Sequence, residues 1–198
     1  MIVCLDLEGV LVPEIWIGVA KKTGVAELRL TTRDIPDYDA LMKRRIGILK
    51  REKIRLSDIQ RVIGTLRPLP GARAFLDRLR AERQVVILSD TFYQFAGPLM
   101  RQLGLPTIFC NWLIVGKSGY IEGYRLRQRD GKRKAVQALR GMGFEVRAAG
   151  DSYNDITMLK TADKGVLFNP PDKIRRQYPR FKTVSDYRSL YRELTSAS

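Results

Sequence analysis

The chain has 198 residues, 44% of them hydrophobic, and a formal net charge of +15 from 36 basic and 21 acidic side chains. A chain of this length buries roughly 70% of its unfolded surface, enough for one domain with a core, and no apolar run approaches the ~20 residues of a membrane span. Histidine is absent, which excludes Ser-His-Asp and Cys-His hydrolases, phosphohistidine chemistry and imidazole zinc sites, so any acid–base catalyst must be a carboxylate, Lys, Tyr or Cys.

The first strand predicted is 2–5, an apolar and partly β-branched run that ends in Asp6-Leu7-Glu8-Gly9. A carboxylate there sits at the carboxyl edge of a parallel sheet, where open α/β folds bind ligands. Residues two apart share a strand face, so Asp6 and Glu8 aim at one site if the chain stays extended. About sixty residues without a convincing strand follow, and they read as helices. Pro13-Glu14-Ile15-Trp16 starts one, with Pro in the first turn. Asp37 starts a second over about 38–50, and Ser57-Asp58 caps a third. On the second, Leu41, Ile48 and Leu49 share a face, and Arg45 falls between them. A guanidinium on an apolar stripe either snorkels to water or meets an anion.

Leu69-Pro70-Gly71 then opens a helix over 72–82. A strand over 84–89 follows, ending in Ser89-Asp90-Thr91, and then a helix over 95–103. The segment 108–126 reads as a β-hairpin appended to the sheet. Asp130-Gly131-Lys132-Arg133-Lys134 opens a helix over 132–142. A strand over 145–149 ends in Gly150-Asp151-Ser152-Tyr153-Asn154-Asp155. A last strand at 165–168 and a helix over 186–194 complete the chain. The alternation predicts an α/β fold: a Rossmann-like parallel sheet core with helices on both faces, a small helical cap inserted after the first strand, and a β-hairpin appendage. The domain division expected is a core of 1–13 and 69–198 with a cap of 14–68. Trp16 and Trp112 are expected in the core. Gly9 and Gly150 indicate tight turns, and no Walker lysine pattern accompanies them.

The N-terminus lacks a basic region and a small-residue cleavage site. Cys4 and Cys110 lie in apolar segments and read as buried thiols, which fits a reducing cytoplasm. The positive field attracts anions. The stretch 41–61 alone carries eight basic residues against Glu52 and Asp58. No C2H2 spacing, RNP signature or basic zipper is present. A small anionic substrate is therefore expected ahead of nucleic acid, and a basic nucleic-acid-binding protein stands as the alternative from a different class.

The order Asp-x-Glu, Ser-Asp, Lys, Gly-Asp-x-x-Asn-Asp resembles the haloacid dehalogenase superfamily of phosphotransferases. Within it the chain is similar to phosphoserine phosphatases. Asp6-Leu7-Glu8-Gly9-Val10-Leu11-Val12-Pro13-Glu14 and Gly150-Asp151-Ser152-Tyr153-Asn154-Asp155 bring it nearer to the bacterial bifunctional phosphoserine phosphatase/homoserine phosphotransferases. The resemblance implies a cytoplasmic, Mg2+-dependent enzyme of amino-acid biosynthesis that hydrolyses O-phospho-L-serine, with homoserine as a second acceptor; the oligomeric state stays open, a homodimer being one option. It implies Asp6 as the nucleophile that becomes an aspartyl-phosphate, and Glu8 as the proton carrier where the superfamily usually has Asp. Mg2+ would be held by Asp6, Asp151 and the main-chain carbonyl of Glu8, with Asp155 in support. Ser89, the amide of Asp90 and Asn154 would face the phosphorylated substrate. Glu14 would bind its ammonium and Arg45 its carboxylate. For the catalytic lysine the family pattern favours Lys132, with Lys134 left open. A phosphatase for another small phosphorylated metabolite is the alternative within the same class.

Overall fold

A computed structural model describes residues 1–31, 34–35 and 37–196. Its frame is a seven-stranded sheet in the order β4-β3-β2-β1-β5-β6-β7. The strands are β1 (Ile2–Leu5), β2 (Gln84–Phe92), β3 (Thr107–Val115), β4 (Ile121–Arg125), β5 (Val146–Gly150), β6 (Lys164–Phe168) and β7 (Lys182–Val184). Every neighbouring pair is parallel except β3 and β4, which form the antiparallel hairpin expected from the sequence. β1 lies in the middle, paired with β2 on one side and β5 on the other. Successive crossovers leave it in opposite directions, and this reversal opens a crevice at the carboxyl edge.

β1 is buried on both faces, which is why it reads as a continuous apolar run. Val3 and Leu5 pack into one layer with Leu76 of α4 (Ala72–Glu82), Phe95 of α5 (Tyr93–Gln102) and Leu190 of α9 (Tyr187–Thr195). Ile2 and Cys4 face the other layer, with Val136 of α6 (Gly131–Gly141) and Leu159 of α7 (Ile156–Thr161). Truncating a fully buried ring such as Phe95 to Ala would cost about 3–5 kcal/mol.

Between β1 and α4 lie α1 (Ile15–Thr23), α2 (Tyr38–Arg51) and α3 (Leu56–Thr65), with a 3-10 turn at Ala26–Arg29. The chain enters and leaves this insert side by side, for Leu69 N–H donates to Leu11 O at 2.9 Å. The insert docks on the core through Trp16 and Phe95, whose rings meet edge to face at 5.5 Å.

Several local expectations are corrected. Pro13 lies outside α1, which begins at Ile15 after Glu14. Asp37 does cap α2, accepting from Asp39 N and Ala40 N. Ser57 and Asp58 do not precede α3; Asp58 sits in its first turn and accepts the N–H of Arg55 at 2.9 Å. β2 runs on past Ser89 to Phe92 through a register shift between Leu88 and Phe92, so Asp90 lies in a bulged strand rather than after it. α8 (Asp172–Gln177) and the three-residue β7 were not foreseen, being too short to show a period. Trp16 is buried, whereas Trp112 is only half-buried, tilted against Tyr93. Both cysteines are free and buried.

Candidate active site

Asp6 leaves the end of β1 and is 4% exposed. The chain does not stay extended beyond it. Leu11 N and Val12 N both turn back to Leu7 O, so strand alternation does not put Glu8 on the face of Asp6. Asp6 Oδ1 accepts from Leu7 N at 2.7 Å and meets Lys132 Nζ at 2.8 Å. Glu8 instead caps α1, its Oε2 accepting the N–H of Ile15 at 2.8 Å. Gly9 has φ +79°, and a Cβ there would stand 2.5 Å from Asp151 Cγ, so only glycine lets this turn close on the acid.

The end of β5 completes the cluster. Carboxylate oxygens of Asp6, Asp151 and Asp155 all lie within 4.8 Å of one another, and all three residues are buried. Asp155 Oδ2 accepts from Asp151 N at 3.0 Å and Ser152 N at 3.1 Å, while Oδ1 accepts Lys132 Nζ at 2.7 Å. Gly150 serves this packing rather than a turn, because a Cβ there would lie 2.3 Å from Asp155 Cγ. Lys132, in the first turn of α6, is 4% exposed. Lys134 is exposed to solvent, as its place on the outer side of α6 dictates.

Burial, then the charge of Asp155, pushes Asp6 well above the usual carboxylate range, and Lys132 pulls it back. Burial also opposes the charge of Lys132, yet Asp155 and Asp6 outweigh it and raise the ammonium well above its ordinary value. Three ionised carboxylates against one ammonium leave this buried group two charges short of neutral. Uncompensated buried charge is costly, so the cluster either keeps protons or takes a divalent cation. Hard oxygen donors suit Mg2+. Asp155 already spends its oxygens on amides and on Lys132, so Asp6 and Asp151 are the better ligands and Asp155 their support. Burial, then the neighbouring Glu14, pushes Glu8 up to about 8, so that it holds a proton at neutral pH.

Ser89 is 7% exposed and its Oγ accepts the N–H of Thr91 at 3.2 Å. Asp90 approaches Lys132 Nζ at 3.9 Å and accepts Asn154 Nδ2 at 2.8 Å. A depression lined by Ser89, Asp90, Asn111, Arg127, Gly131 and Lys132 adjoins the cluster. Two roomier surface hollows, around Phe144 and around Ser189, share no residue with it.

A family model for haloacid dehalogenase-like hydrolases matches residues 1–163. The chain belongs to the haloacid dehalogenase-like hydrolase family. Over 197 residues and 100% of this chain it is 56% identical to the phosphoserine phosphatase ThrH of Pseudomonas aeruginosa, covering 96% of that protein. It is equally 56% identical to a phosphoserine phosphatase of Pseudomonas syringae pv. tomato, of which it covers 83%. Its fold superimposes with TM-score 0.80 on a phospho-aspartyl intermediate analogue of phosphoserine phosphatase, at 19% identity and 98% coverage of both chains. A substrate-bound phosphoserine phosphatase complex gives TM-score 0.77 at 18% identity, again over 98% of both. At those identities the two structures speak to the fold.

In this haloacid dehalogenase-like chain Arg45 does not snorkel. It is 6% exposed, lies over the Trp16 ring at 4.5 Å and donates from Nη2 to Leu30 O at 2.8 Å. Among the described residues its buried Nε has no hydrogen-bond partner. Burial lowers its pKa to about 10, against the pull of Tyr38, Glu8 and Glu14. Glu14 is half-buried at the start of α1. The motif reading overlooked Tyr38 and Asn111, which both reach Asp90. Asn111 could have been found, since an amide inside the apolar run of β3 demands a buried partner; Tyr38 carried no such signal.

Proposed function

We propose that this protein is a phosphoserine phosphatase: a Mg2+-dependent phosphomonoesterase that converts O-phospho-L-serine to serine and phosphate through an aspartyl-phosphate on Asp6, and that also passes the phosphoryl group to homoserine. The observation that carries the reading is Lys132, buried between Asp6 and Asp155 where three carboxylates converge. Phosphoryl transfer needs positioning and charge neutralisation above all, and this cluster offers both.

An oxygen of Asp6 attacks phosphorus while the bond to the serine oxygen breaks, and Glu8 gives that oxygen its proton. The acceptor oxygen, from water or homoserine, then attacks phosphorus, Glu8 takes the acceptor's proton, and Asp6 departs as a carboxylate. Asp6, Asp151 and the carbonyl of Glu8 would hold Mg2+, which when bound would supply positive charge to offset that of the phosphoryl group. Lys132 orients Asp6 and favours its ionised form against burial and Asp155. Ser89 and the amide of Asp90 donate to phosphoryl oxygens, and Asn154 holds the Asp90 side chain toward the substrate. Residues 14–68 form the cap, on which Arg45 binds the substrate carboxylate and Glu14 its ammonium. A buried guanidinium nitrogen with no hydrogen-bond partner among the described residues supports the first of these roles. Free buried thiols fit a cytoplasmic setting. Among the described residues no helix is long and apolar enough to cross a membrane.

A panel of phosphorylated metabolites with Mg2+, with and without homoserine, tests this. Phosphoserine should be the preferred donor, and homoserine should divert product from free phosphate to phosphohomoserine. A panel in which phosphoserine is no better than other esters would overturn the substrate assignment. Unchanged phosphate yield with homoserine would leave a simple phosphatase.

A further inference from the structure

Two side chains from opposite sides converge on the carbonyl oxygen of Asp90. Tyr38, the first residue of α2, donates its hydroxyl at 3.1 Å, and Asn111 of β3 donates Nδ2 at 3.1 Å. Their attachments differ. Asn111 is 5% exposed and ties sheet to sheet edge, for its Oδ1 also accepts the N–H of Arg127 at 3.0 Å, on the segment leading to Lys132. Tyr38 belongs to the helical insert, so its bond crosses from insert to core.

The β-hairpin gives this crossing an abutment. The rings of Tyr38 and Tyr124 meet edge to face at 5.7 Å, and Tyr124 donates its hydroxyl to Asp39 Oδ1 at 2.7 Å. Farther along, Leu56 N–H donates to Gly119 O at 3.0 Å, and Arg55 lies over Tyr120 at 5.5 Å. The first turns of α2 and α3 thus rest on β4 and the hairpin turn. The Tyr38 hydroxyl carries that contact onward by a hydrogen bond to the strand end bearing Ser89 and Asp90, where the Tyr124 ring also meets Phe92 edge to face at 6.2 Å.

We propose that Tyr38 is a positioning residue, the latch that holds the insert closed over the Asp6–Lys132 centre by bonding the Asp90 carbonyl. It touches no reacting atom. By fixing closure it sets how firmly Arg45 and Glu14 grip the substrate and how much water reaches the aspartyl-phosphate. The inference rests on the reading of 14–68 as a cap over a phosphoserine site. A single neutral hydrogen bond shifts such an opening equilibrium about two- to tenfold.

Tyr38→Phe is a clean probe. The ring and its contact with Tyr124 remain, and Asp90 O keeps the Asn111 donor, so no buried acceptor is orphaned. The KM for phosphoserine should rise about two- to tenfold with kcat changed less. The KM for p-nitrophenyl phosphate, which offers the cap neither ammonium nor carboxylate, should stay unchanged. With homoserine present, the share of phosphoryl reaching water should increase. Equal losses on both esters, or no change on either, would overturn the latch. Hydrogen exchange on the unliganded full chain gives a second reading that needs no substrate. Amides over 37–51 should exchange about two- to tenfold faster in the variant, and those over 72–82 should not. Equal exchange over 37–51 would overturn the latch. Wild-type enzyme that cleaves the aryl ester but ignores phosphoserine would instead defeat the substrate assignment, and the exchange comparison would still decide the latch.

Discussion

The ammonium of Lys132 lies 2.7 Å from Oδ1 of Asp155, a residue with no exposed surface. Asp155 uses its other oxygen to hold the amides of Asp151 and Ser152. It therefore fixes the lysine and the loop that bears Asp151 at once. Asp155→Asn would turn an N–H toward donors on one side or the other. Metal affinity should fall about 10- to 100-fold, the range for lost outer support, while the circular dichroism spectrum stays folded. Magnesium titration of activity measures the first; an unchanged half-saturation point would remove the supporting role.

Asp6→Asn keeps an oxygen for Leu7 N and for Lys132 but loses the nucleophile. Turnover should drop by roughly 10³-fold or more. Acid quenching with labelled substrate should trap phosphate on the wild-type protein and none on the variant. Retained turnover would rule out the covalent route.

Arg45→Met fills the space over Trp16 without the charge. Charge-assisted bonds are worth about 1.5–3 kcal/mol, so kcat/KM for phosphoserine should fall about 10- to 100-fold. The effect on p-nitrophenyl phosphate should stay within about twofold, since that ester has no carboxylate to lose. Similar losses on both would show that Arg45 holds the cap together rather than the substrate.

Glu8 gives a pH signature in metal-free protein. In the folded chain it is pushed up to about 8 from an ordinary 4.5. The folded state thus keeps a proton that the unfolded state releases. That contribution is complete below pH 4.5 and is lost as pH rises through about 8. In EDTA the Tm of wild type should fall across this window relative to Glu8→Gln, which has nothing to titrate. Parallel curves would show that Glu8 is not held protonated by burial.

Gly9→Ala and Gly24→Ala separate two costs. Both positions have positive φ, but a Cβ on Gly24 would meet no described atom within 4 Å beyond its chain neighbours, whereas one on Gly9 would strike Asp151. Gly24→Ala should lose about 1–2 kcal/mol from backbone strain alone. Gly9→Ala should lose more and should also weaken Mg2+ binding. Equal stability losses with unaltered metal binding would mean that the Asp151 loop yields at no cost.

The elements around the site were largely legible because their signals are local. An apolar run ending in an acid marks β1 and β5, and 3.6-residue spacing marks α4 and α6. What failed was decided by contacts rather than by local pattern. β2 bulges instead of stopping at Ser89, and Asp58 caps α3 from inside it. Neither choice is set by propensity, since pairing to β3 and a competing side-chain acceptor decide them.

The chain by itself determined which groups are available: carboxylates at the ends of β1 and β5, a hydroxyl at β2, a lysine opening α6, and no imidazole anywhere. Period and charge are properties of short stretches and survive without a fold. Tertiary structure alone chose Lys132 over Lys134 for the acid cluster, turned Glu8 to the amide of Ile15, and brought Tyr38 to an Asp90 carbonyl 52 residues away. Those choices depend on how α6 is rotated against the sheet and how the insert docks on α5 and the hairpin, and burial of the whole apolar surface fixes such angles.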